Sequence, residues 1–248
     1  MCLAVVGSRR ATRYAEQAVQ ELVEPIARAG VVIVSGLAFG VDALAHRAAL
    51  NVGGITVAVL GGGVDERSIA PVSNRALAES ILDRGGAILS EYPDGTESVH
   101  YHFPVRNRII AGMSQGTLVV EAAVKSGSLI TSKSAMEEGR DVFAVPGPIT
   151  SELSQGPNNL LKMGARPVTS AEDILSVFGV LNGRVKSVPV ANSPTEAILL
   201  ELLSREPAHV DDLVRKSGLP TPTVTSTLTL MEMNGSARHL GGMFYVRG

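Results

Sequence analysis

Short apolar runs alternate with helical patterns along the first 178 residues, and this alternation restricts the possible folds more than any other feature. The runs carry no helical period and are too short for helices, which suits strands that are covered on both faces. They occupy residues 3–7, 31–34, 55–60, 87–89, 116–120 and 141–145. Apolar runs separated by helices in this way predict an α/β fold with a doubly wound, mostly parallel sheet.

The first helical pattern is well delimited. Thr12 can cap a helix over 13–29, whose apolar residues recur at helical spacing, and Gly30 ends it. Further helices are predicted up to Ala49, near 72–84, and after the turn at 126–131 as far as Glu138.

The pattern changes after Phe178. Residues 180–192 show no period and contain Pro189, which predicts a linker. Three helical patterns follow at 194–204, 210–216 and 221–234, and then a hairpin pattern at 235–246. Because three helices and a hairpin are typical of a winged helix-turn-helix, we predict a sheet domain over 1–179 and a small winged-helix domain over 193–248.

Composition limits the class of protein. The net charge is −2, so a site for a polyanion has to be a local patch and not a field over the whole surface. No apolar run approaches the roughly 20 residues that a membrane span needs, and no signal-peptide pattern is present. The single cysteine, Cys2, excludes an internal disulfide. We therefore expect a cytoplasmic protein that has no membrane partner.

The predicted ligand site lies where the strands end, because ligands of doubly wound sheets bind outside the carboxyl ends of the strands. A Gly/Ser turn before a helix offers free backbone N–H groups and the positive end of the helix dipole, which favour an anion. Guanidinium groups nearby would neutralise it. The candidate anion-binding residues are Ser8, Arg9, Gly36, Arg106, Asn107, Arg108, Glu121, Ser126, Gly127, Ser128 and Thr131.

Two of these interpretations have structural alternatives. The Arg106-Asn107-Arg108 segment is either a phosphate clamp that closes the pocket from the side or a solvated helix start after Pro104. Glu121 is either a general base or a partner of an arginine, and the pattern favours an ion pair with Arg106 or Arg108.

Several kinds of site are not predicted. The chain contains neither the GxGxxG dinucleotide pattern nor a Walker phosphate loop. The five histidines do not show a metal-ligand spacing, and no nucleophile–histidine arrangement is recognisable. We therefore expect no metal, no cofactor and no catalytic residue. The last helical pattern contains no Lys or Arg, so the winged helix is expected to contact protein or to bind DNA weakly.

Six motifs resemble, in order, those of the DNA-processing proteins DprA, also called Smf. They are GSR at 7–9, SGLAFGVD at 35–42, FPVRNRIIAG at 103–112, VEA at 120–122, SGSLIT at 126–131 and VPG at 145–147. The resemblance covers residues 3–178, and the C-terminal part resembles the winged helix of many members.

The resemblance implies a Rossmann-like domain that binds single-stranded DNA, forms a homodimer and loads the RecA recombinase in natural transformation. Members are not known as enzymes. Their pocket uses the arginine of the first turn, here Arg9, and the SGSLIT turn as a phosphate seat. A dimer contact is implied near Leu160, Leu161, Met163, Ile174, Leu175 and Val177, whose apolar stripes also suit core packing.

This sequence departs from the family pattern in two places. The family usually follows its Gly-x-Asp turn with Tyr-Pro, whereas Asp65 here is followed at a distance by Ala70-Pro71. The 248 residues also do not include the N-terminal helical domain that members commonly carry.

Two other functions fit parts of the sequence. Gly116-Thr117 with Glu121 is similar to the phosphate turn of phosphoribohydrolases, which would release a free base from a nucleoside monophosphate. A nucleotide-sensing domain joined to a winged helix would be a regulator that prefers duplex DNA. The DprA-like function requires the opposite preference, for single strands.

Limited proteolysis tests the domain boundaries. We expect cleavage within residues 180–193, because this segment lacks a helical or strand period, and we expect two folded fragments. Mass spectrometry of the fragments would locate the cuts. Early cuts concentrated within 1–178 would contradict the predicted boundary.

Overall fold

The structure is a computed structural model that describes residues 1–180, 193–204 and 206–247. The chain divides into two compact units, Met1–Leu181 and Asn182–Gly248. Of the predicted linker 180–192, all but Val180 lies outside the described residues.

The first unit is built on a seven-stranded sheet in which every strand pairing is parallel, as predicted. The strand order is β4-β3-β2-β1-β5-β6-β7. The strands are β1 (Cys2–Val6), β2 (Val32–Ser35), β3 (Thr56–Leu60), β4 (Ala87–Ser90), β5 (Gly116–Val119), β6 (Asp141–Ala144) and β7 (Arg166–Pro167). The helices are α1 (Arg13–Arg28), α2 (Val41–Asn51), α3 (Arg75–Asp83), α4 (His102–Gly112), α5 (Ser128–Glu137), α6 (Gln155–Lys162) and α7 (Ala171–Val177).

The central strands are mostly apolar, and their polar residues Ser35, Thr56 and Thr117 are buried, because helices cover both faces of the sheet. Side chains alternate between the faces: Leu3 and Val5 pack in the same core as α1 and α2, and Ala4 and Val6 pack in the core with α4 and α5. Two-sided burial explains why these runs show neither a helical nor an alternating pattern.

The order in which successive strands are added to the sheet reverses at the boundary between β1 and β5. The first four strands follow one another outward from β1, and the chain then crosses back to place β5 on the other side of β1. In open α/β sheets, this switch point leaves a crevice outside the carboxyl ends of the two strands. The loops after Val6 and Val119 therefore face each other across that crevice.

Thr12 caps α1, as predicted, since its side chain accepts a hydrogen bond from the N–H of Ala15. In this unit, α6, β7 and α7 were not predicted, and α4 was expected only as one of two alternatives. The strand β7 has two exposed residues and α7 has seven residues, so neither leaves a clear pattern in the sequence.

Over its described residues, 193–204 and 206–247, the second unit contains three helices and a three-stranded sheet. The helices are α8 (Pro194–Leu202), α9 (Val210–Ser217) and α10 (Thr221–Met233), and the strands are β8 (Ala208–His209), β9 (Ala237–Gly241) and β10 (Phe244–Arg247). The antiparallel pair β9–β10 is the predicted hairpin, and β8 adds to its outer edge. The unit has its own core, which includes Leu199, Leu213 and Leu228. This arrangement is the predicted winged helix.

No helix in the described parts of the chain combines the length and the apolar character that crossing a membrane requires.

Gly40 controls the approach of the loop after β2 to the loop after β1. Its backbone has φ 72° and ψ −127°, a conformation that favours glycine, and an added Cβ would lie 2.2 Å from the carbonyl oxygen of Ser8. We expect Gly40→Ala to lower the free energy of unfolding by several kcal/mol, because backbone strain and a clash add together. Chemical denaturation measures this loss.

Gly53→Ala is the matched control. Gly53 has φ +71°, and an added Cβ would meet nothing within 4 Å. This variant should lose about 1 kcal/mol from backbone strain alone. Equal losses in the two variants would show that the contact with Ser8 carries no energy.

Candidate nucleic-acid interface

A cavity of about 580 Å³ opens at the carboxyl ends of β1 and β5, where the switch point predicts a ligand. Eight of the eleven candidate residues line it: Ser8, Arg9, Arg106, Asn107, Ser126, Gly127, Ser128 and Thr131. The other three, Gly36, Arg108 and Glu121, lie outside its lining.

The Gly-Ser-Arg turn after β1 is fixed on both sides. The N–H of Ser8 donates to the carbonyl of Glu121 at 2.6 Å, and the carbonyl of Ser8 accepts from the N–H of Val41 at 3.1 Å. The Ser8 hydroxyl accepts from the N–H of Arg10 at 3.0 Å. These bonds tie the turn to the loop after β5 and to the start of α2, so Arg9 extends from a rigid base.

Arg9 is exposed and stacks on an aromatic ring. Its guanidinium carbon lies 4.8 Å from the ring centre of Phe103, which is a cation–π distance. The guanidinium of Arg106 lies 5.8 Å from the same ring centre. Phe103 therefore orients the exposed cation Arg9 at the cavity without neutralising it.

Arg106 is a buried residue of α4 that binds the ends of two strands. It is 4% exposed, and its Nη1 donates to the carbonyl of Gly36 at 2.7 Å and also to the carbonyl of Val59. A Cβ at position 36 would lie 2.5 Å from this guanidinium, so only glycine allows the approach. Arg106 holds the base of the cavity together and offers little surface to a ligand.

Asp42 provides the counter-charge for Arg106. Its carboxylate accepts from the N–H groups of Gly36 at 3.1 Å and Ala38 at 3.4 Å. Burial raises the pKa of this carboxyl above its ordinary value, and the positive charge of Arg106 opposes that rise. Asp42 and Arg106 therefore hold the loop after β2 in place through hydrogen bonds to its backbone.

Asn107 supports the predicted anion turn. Its Nδ2 donates to the carbonyl of Gly127 at 3.2 Å, and its Oδ1 accepts from the Nε of Arg106 at 3.2 Å. A continuous set of hydrogen bonds therefore links the buried guanidinium to the turn before α5.

The turn offers fewer N–H groups than the sequence suggests. The N–H groups of Ser126 and Leu129 donate to the carbonyls of Ala123 and Ser126. The N–H of Ser128 donates to the hydroxyl of Ser126 at 3.4 Å, and the hydroxyls of Ser126 and Ser128 are 2.7 Å apart. The capacity to bind an anion therefore rests mainly on the N–H of Gly127 and on these two hydroxyls. Within the described residues, the buried hydroxyl of Thr131 has no hydrogen-bond partner, and Thr131 lines the same cavity.

Arg108 points away from the cavity, contrary to the expected clamp. Its Nη2 lies 2.5 Å from a carboxylate oxygen of Glu91, and the two side chains are 55% and 46% exposed. Helix geometry explains the difference, because consecutive residues of a helix point in directions about 100° apart. Arg106 and Arg108 therefore cannot both face one ligand.

Glu121 pairs with Thr12 and not with an arginine, so the expected ion pair is wrong. Its carboxylate accepts from the hydroxyl of Thr12 at 2.6 Å and from the N–H of Thr12 at 3.1 Å. The residue is 2% exposed. Because β5 lies beside β1, the carboxylate after β5 reaches the helix that follows β1.

Other lining residues were missed by the sequence analysis. Arg10 and Lys125 add two cations, and Glu152 adds a carboxylate. His100, just before α4, also lines the cavity. Lys125 immediately precedes the SGSLIT motif, so its position could have been recognised. With Arg9 and Arg106, the lining contains four cations against two carboxylates, Asp42 and Glu152. The cavity is a local basic patch in a chain whose net charge is −2.

Metal ligands are not grouped in the parts of the chain that the structure describes: within 1–180, 193–204 and 206–247, no three His, Cys, Asp or Glu side chains are placed to hold an ion.

Helix α2 contains a buried histidine, His46. His46 Nδ1 is 2.6 Å from the hydroxyl of Thr56, which itself donates to the carbonyl of Ile33 at 2.8 Å. Nδ1 therefore carries the proton, and within the described residues the buried Nε2 has no partner. Burial, with a smaller effect of the Arg106 charge, lowers the pKa of His46 to about 3.

The sequence model of the DNA recombination-mediator protein A family matches residues 1–179, and that of the DprA winged helix domain matches residues 181–243. Protein Smf of Escherichia coli (strain K12) is 43% identical over 242 residues, which are 94% of this chain and 64% of that protein. The chain thus spans less than two thirds of that relative.

Two solved structures are similar to the sheet domain. The X-ray structure of DNA processing protein A from Streptococcus pneumoniae has 46% identity and a TM-score of 0.65, and the match covers 70% of this chain and 60% of that one. DNA processing protein A from Helicobacter pylori has 29% identity and a TM-score of 0.65 over 72% of this chain and 80% of that one. The Helicobacter pylori structure concerns a unique single-stranded DNA binding mode.

His46 predicts a pH dependence of stability. The folded protein keeps this ring neutral down to a pH of about 3, whereas the unfolded chain takes up a proton near 6.5. Because the pKa is lower in the folded state, the stabilising contribution is complete above pH 6.5 and is lost as the pH falls from 6.5 towards 3. The loss should reach at most about 1.4 kcal/mol per pH unit.

His46→Asn removes this titration and keeps an N–H donor near Thr56. The difference in unfolding free energy between parent and variant, from denaturation at several pH values, should narrow as the pH falls. Parallel pH profiles would refute the assignment.

Proposed function

This chain belongs to the family of DNA recombination-mediator protein A, and from that premise we propose that it binds single-stranded DNA in the cavity at the ends of β1 and β5. In this proposal the bound strand is protected and is passed to the RecA recombinase during natural transformation. No chemical step is assigned to the cavity, and DNA is the ligand and not a substrate.

The local excess of cations carries the proposal. Arg9, Arg10 and Lys125 are exposed at the rim of a cavity whose floor contains the helix start at Gly127 and Ser128. An anion there would receive N–H bonds and the favourable end of the helix dipole. These groups bind phosphate, which every nucleotide has, so the expected binding is electrostatic and tolerant of sequence.

In the proposed path of the DNA strand, one phosphate lies on the turn before α5, and the adjacent phosphates lie along the cationic rim of the cavity. The N–H of Gly127 would hold the first phosphate, with the Thr131 hydroxyl as an additional donor, and the N–H of Ser128 would join them by exchanging the Ser126 hydroxyl for the phosphate. Arg9, aligned by Phe103, would neutralise that phosphate or the next one. Arg106 and Asn107 would act indirectly, by holding the turn and the loop after β2 in place.

The geometry argues against the two other candidate functions. A phosphoribohydrolase would need the Glu121 carboxylate at its substrate, but this carboxylate is buried and bonded to Thr12. A regulator that reads duplex DNA would need cations on α10, but this helix has no Lys or Arg.

Family membership also supports a homodimer. Three of the apolar residues expected at its contact, Leu160, Ile174 and Leu175, are at most 6% exposed and pack in the core of the same protomer. They are unavailable to a partner. Leu161 and Val177 are half-buried against the same cores, so Met163, which is 71% exposed, is the most accessible of the six expected residues.

Arg9→Ala tests the proposed DNA site. Binding to single-stranded oligonucleotides should weaken on every sequence, because a phosphate contact is lost. The slope of log K against log salt concentration should become flatter by about 0.7, the value of one neutralised phosphate on a single strand. Fluorescence anisotropy over a salt series measures both quantities.

Two arginines serve as controls. Arg28 lies at the end of α1 on the opposite edge of the sheet, and Arg108 is paired with Glu91 outside the cavity. Arg28→Ala and Arg108→Ala should both bind like the parent. If Arg9→Ala keeps the parental affinity at each salt concentration while remaining folded, the cavity is not the DNA site.

A further inference from the structure

Three aromatic rings form a stack beside the cavity, which we call the aromatic step: Tyr92, His102 and Tyr101. The rings of Tyr92 and His102 are nearly parallel, with centres 4.0 Å apart and planes at 22°. The Tyr101 ring meets His102 edge-on, with centres 4.6 Å apart and planes at 82°. Tyr101 is 69% exposed, so this ring presents most of its surface to solvent.

The aromatic step has a fixed position in the fold. The Nδ1 of His102 is 2.8 Å from the carbonyl of Gly61, and because a carbonyl only accepts, Nδ1 carries the proton. Gly61 follows β3 and Tyr92 follows β4, so the stack is held against the ends of both strands. A ring fixed in this way loses little conformational entropy when a ligand stacks on it.

The aromatic step is adjacent to the cavity along the chain and across the sheet. Residues on either side of the Tyr101–His102 pair, His100 and Phe103, line the cavity. The strands β1 and β3 are two positions apart in the sheet, which is about 10 Å. This distance corresponds to about three nucleotides at the stacked rise of 3.4 Å per nucleotide.

The charges around the cavity differ in sign from those around the aromatic step. Arg9, Arg10 and Lys125 lie at the ends of β1 and β5, whereas Asp94 and Glu97 lie in the loop of Tyr92, after β4, where Glu91 is paired with Arg108. Phosphates are attracted to the first side and repelled by the second. A single strand presents its phosphates along one edge and its bases along the other. The bases therefore suit the ends of β3 and β4, because base faces stack on aromatic rings.

We infer that the aromatic step is a base-stacking subsite, on which a base of single-stranded DNA lies against the exposed ring of Tyr101. This inference rests on the proposed function of the cavity and adds a second point of contact of different chemistry. The cavity binds the backbone through charge, and the step binds a base through its face. The step thereby orients the strand, with phosphates towards β1 and β5 and bases towards β3 and β4.

Tyr101→Ala tests the subsite in the full chain. Two fluorescent oligonucleotides of equal length serve as probes, a poly-thymidine strand and the same strand with consecutive abasic positions. Removing the ring should weaken binding of the thymidine strand about tenfold, which is within the range for one stacked base. The abasic strand should bind the parent and the variant alike, and the salt slope should be unchanged, since no charge is removed.

Tyr101→Phe is the matched control, because it keeps the ring and removes the hydroxyl. This variant should bind like the parent. The inference is overturned if Tyr101→Ala binds the thymidine strand with parental affinity, or if it loses affinity equally for both strands. It is also overturned if Tyr101→Phe behaves like Tyr101→Ala, because the hydroxyl and not the ring would then be the contact.

The failure of this inference differs from the failure of the proposed function. If Arg9→Ala flattens the salt slope and Tyr101→Ala has no effect, the cavity is the DNA site and the step is not part of it. If the parent binds neither strand, the proposed function fails and the subsite fails with it.

Discussion

The geometry of the site depends on one buried guanidinium. Arg106 donates to the carbonyls of Gly36 and Val59, so it pulls the start of α4 against the ends of β2 and β3. Burying this charge beside Asp42 contributes little net stability, because desolvation offsets the attraction. Removing Asp42 would nevertheless be destabilising, since the buried guanidinium would lose the opposite charge that offsets its desolvation. The pair therefore fixes a geometry more than it stabilises a fold.

The roles of the neighbouring residues in α4 follow from that inward-pointing residue. With Arg106 fixed, the helical rotation brings Asn107 to the turn before α5 and turns Arg108 out to Glu91. Phe103, one turn earlier on the same face, lies between the guanidiniums of Arg106 and Arg9. A single rigid helix thus places a structural cation, a brace for the anion turn and an aromatic support for the exposed arginine.

Six strands of the sheet were predictable because each forms a short apolar run that a sequence displays directly, whereas β7, whose two residues are exposed, was not. The winged helix was predictable because its helices and hairpin are local in sequence. The partners of Glu121 and Arg108 were not, because each lies in an element brought close only by the strand order. Eight of the eleven candidate residues line the cavity, since strand ends and the turn before α5 are positions that sequence periodicity locates well.

A chain with net charge −2 can bind a polyanion when the charges that matter are few and close to it. At physiological salt the screening length is about 8 Å, so carboxylates elsewhere on the surface add little at the cavity rim. Contacts from backbone N–H groups and arginines to phosphate position a strand but do not read its sequence. Any preference among bases must therefore come from surfaces that meet the base faces, and stacking strength, not hydrogen bonding, would set it. The helix α10 of the winged helix does not provide a cationic recognition helix for DNA, because its exposed face consists of hydroxyl and apolar side chains with one carboxylate.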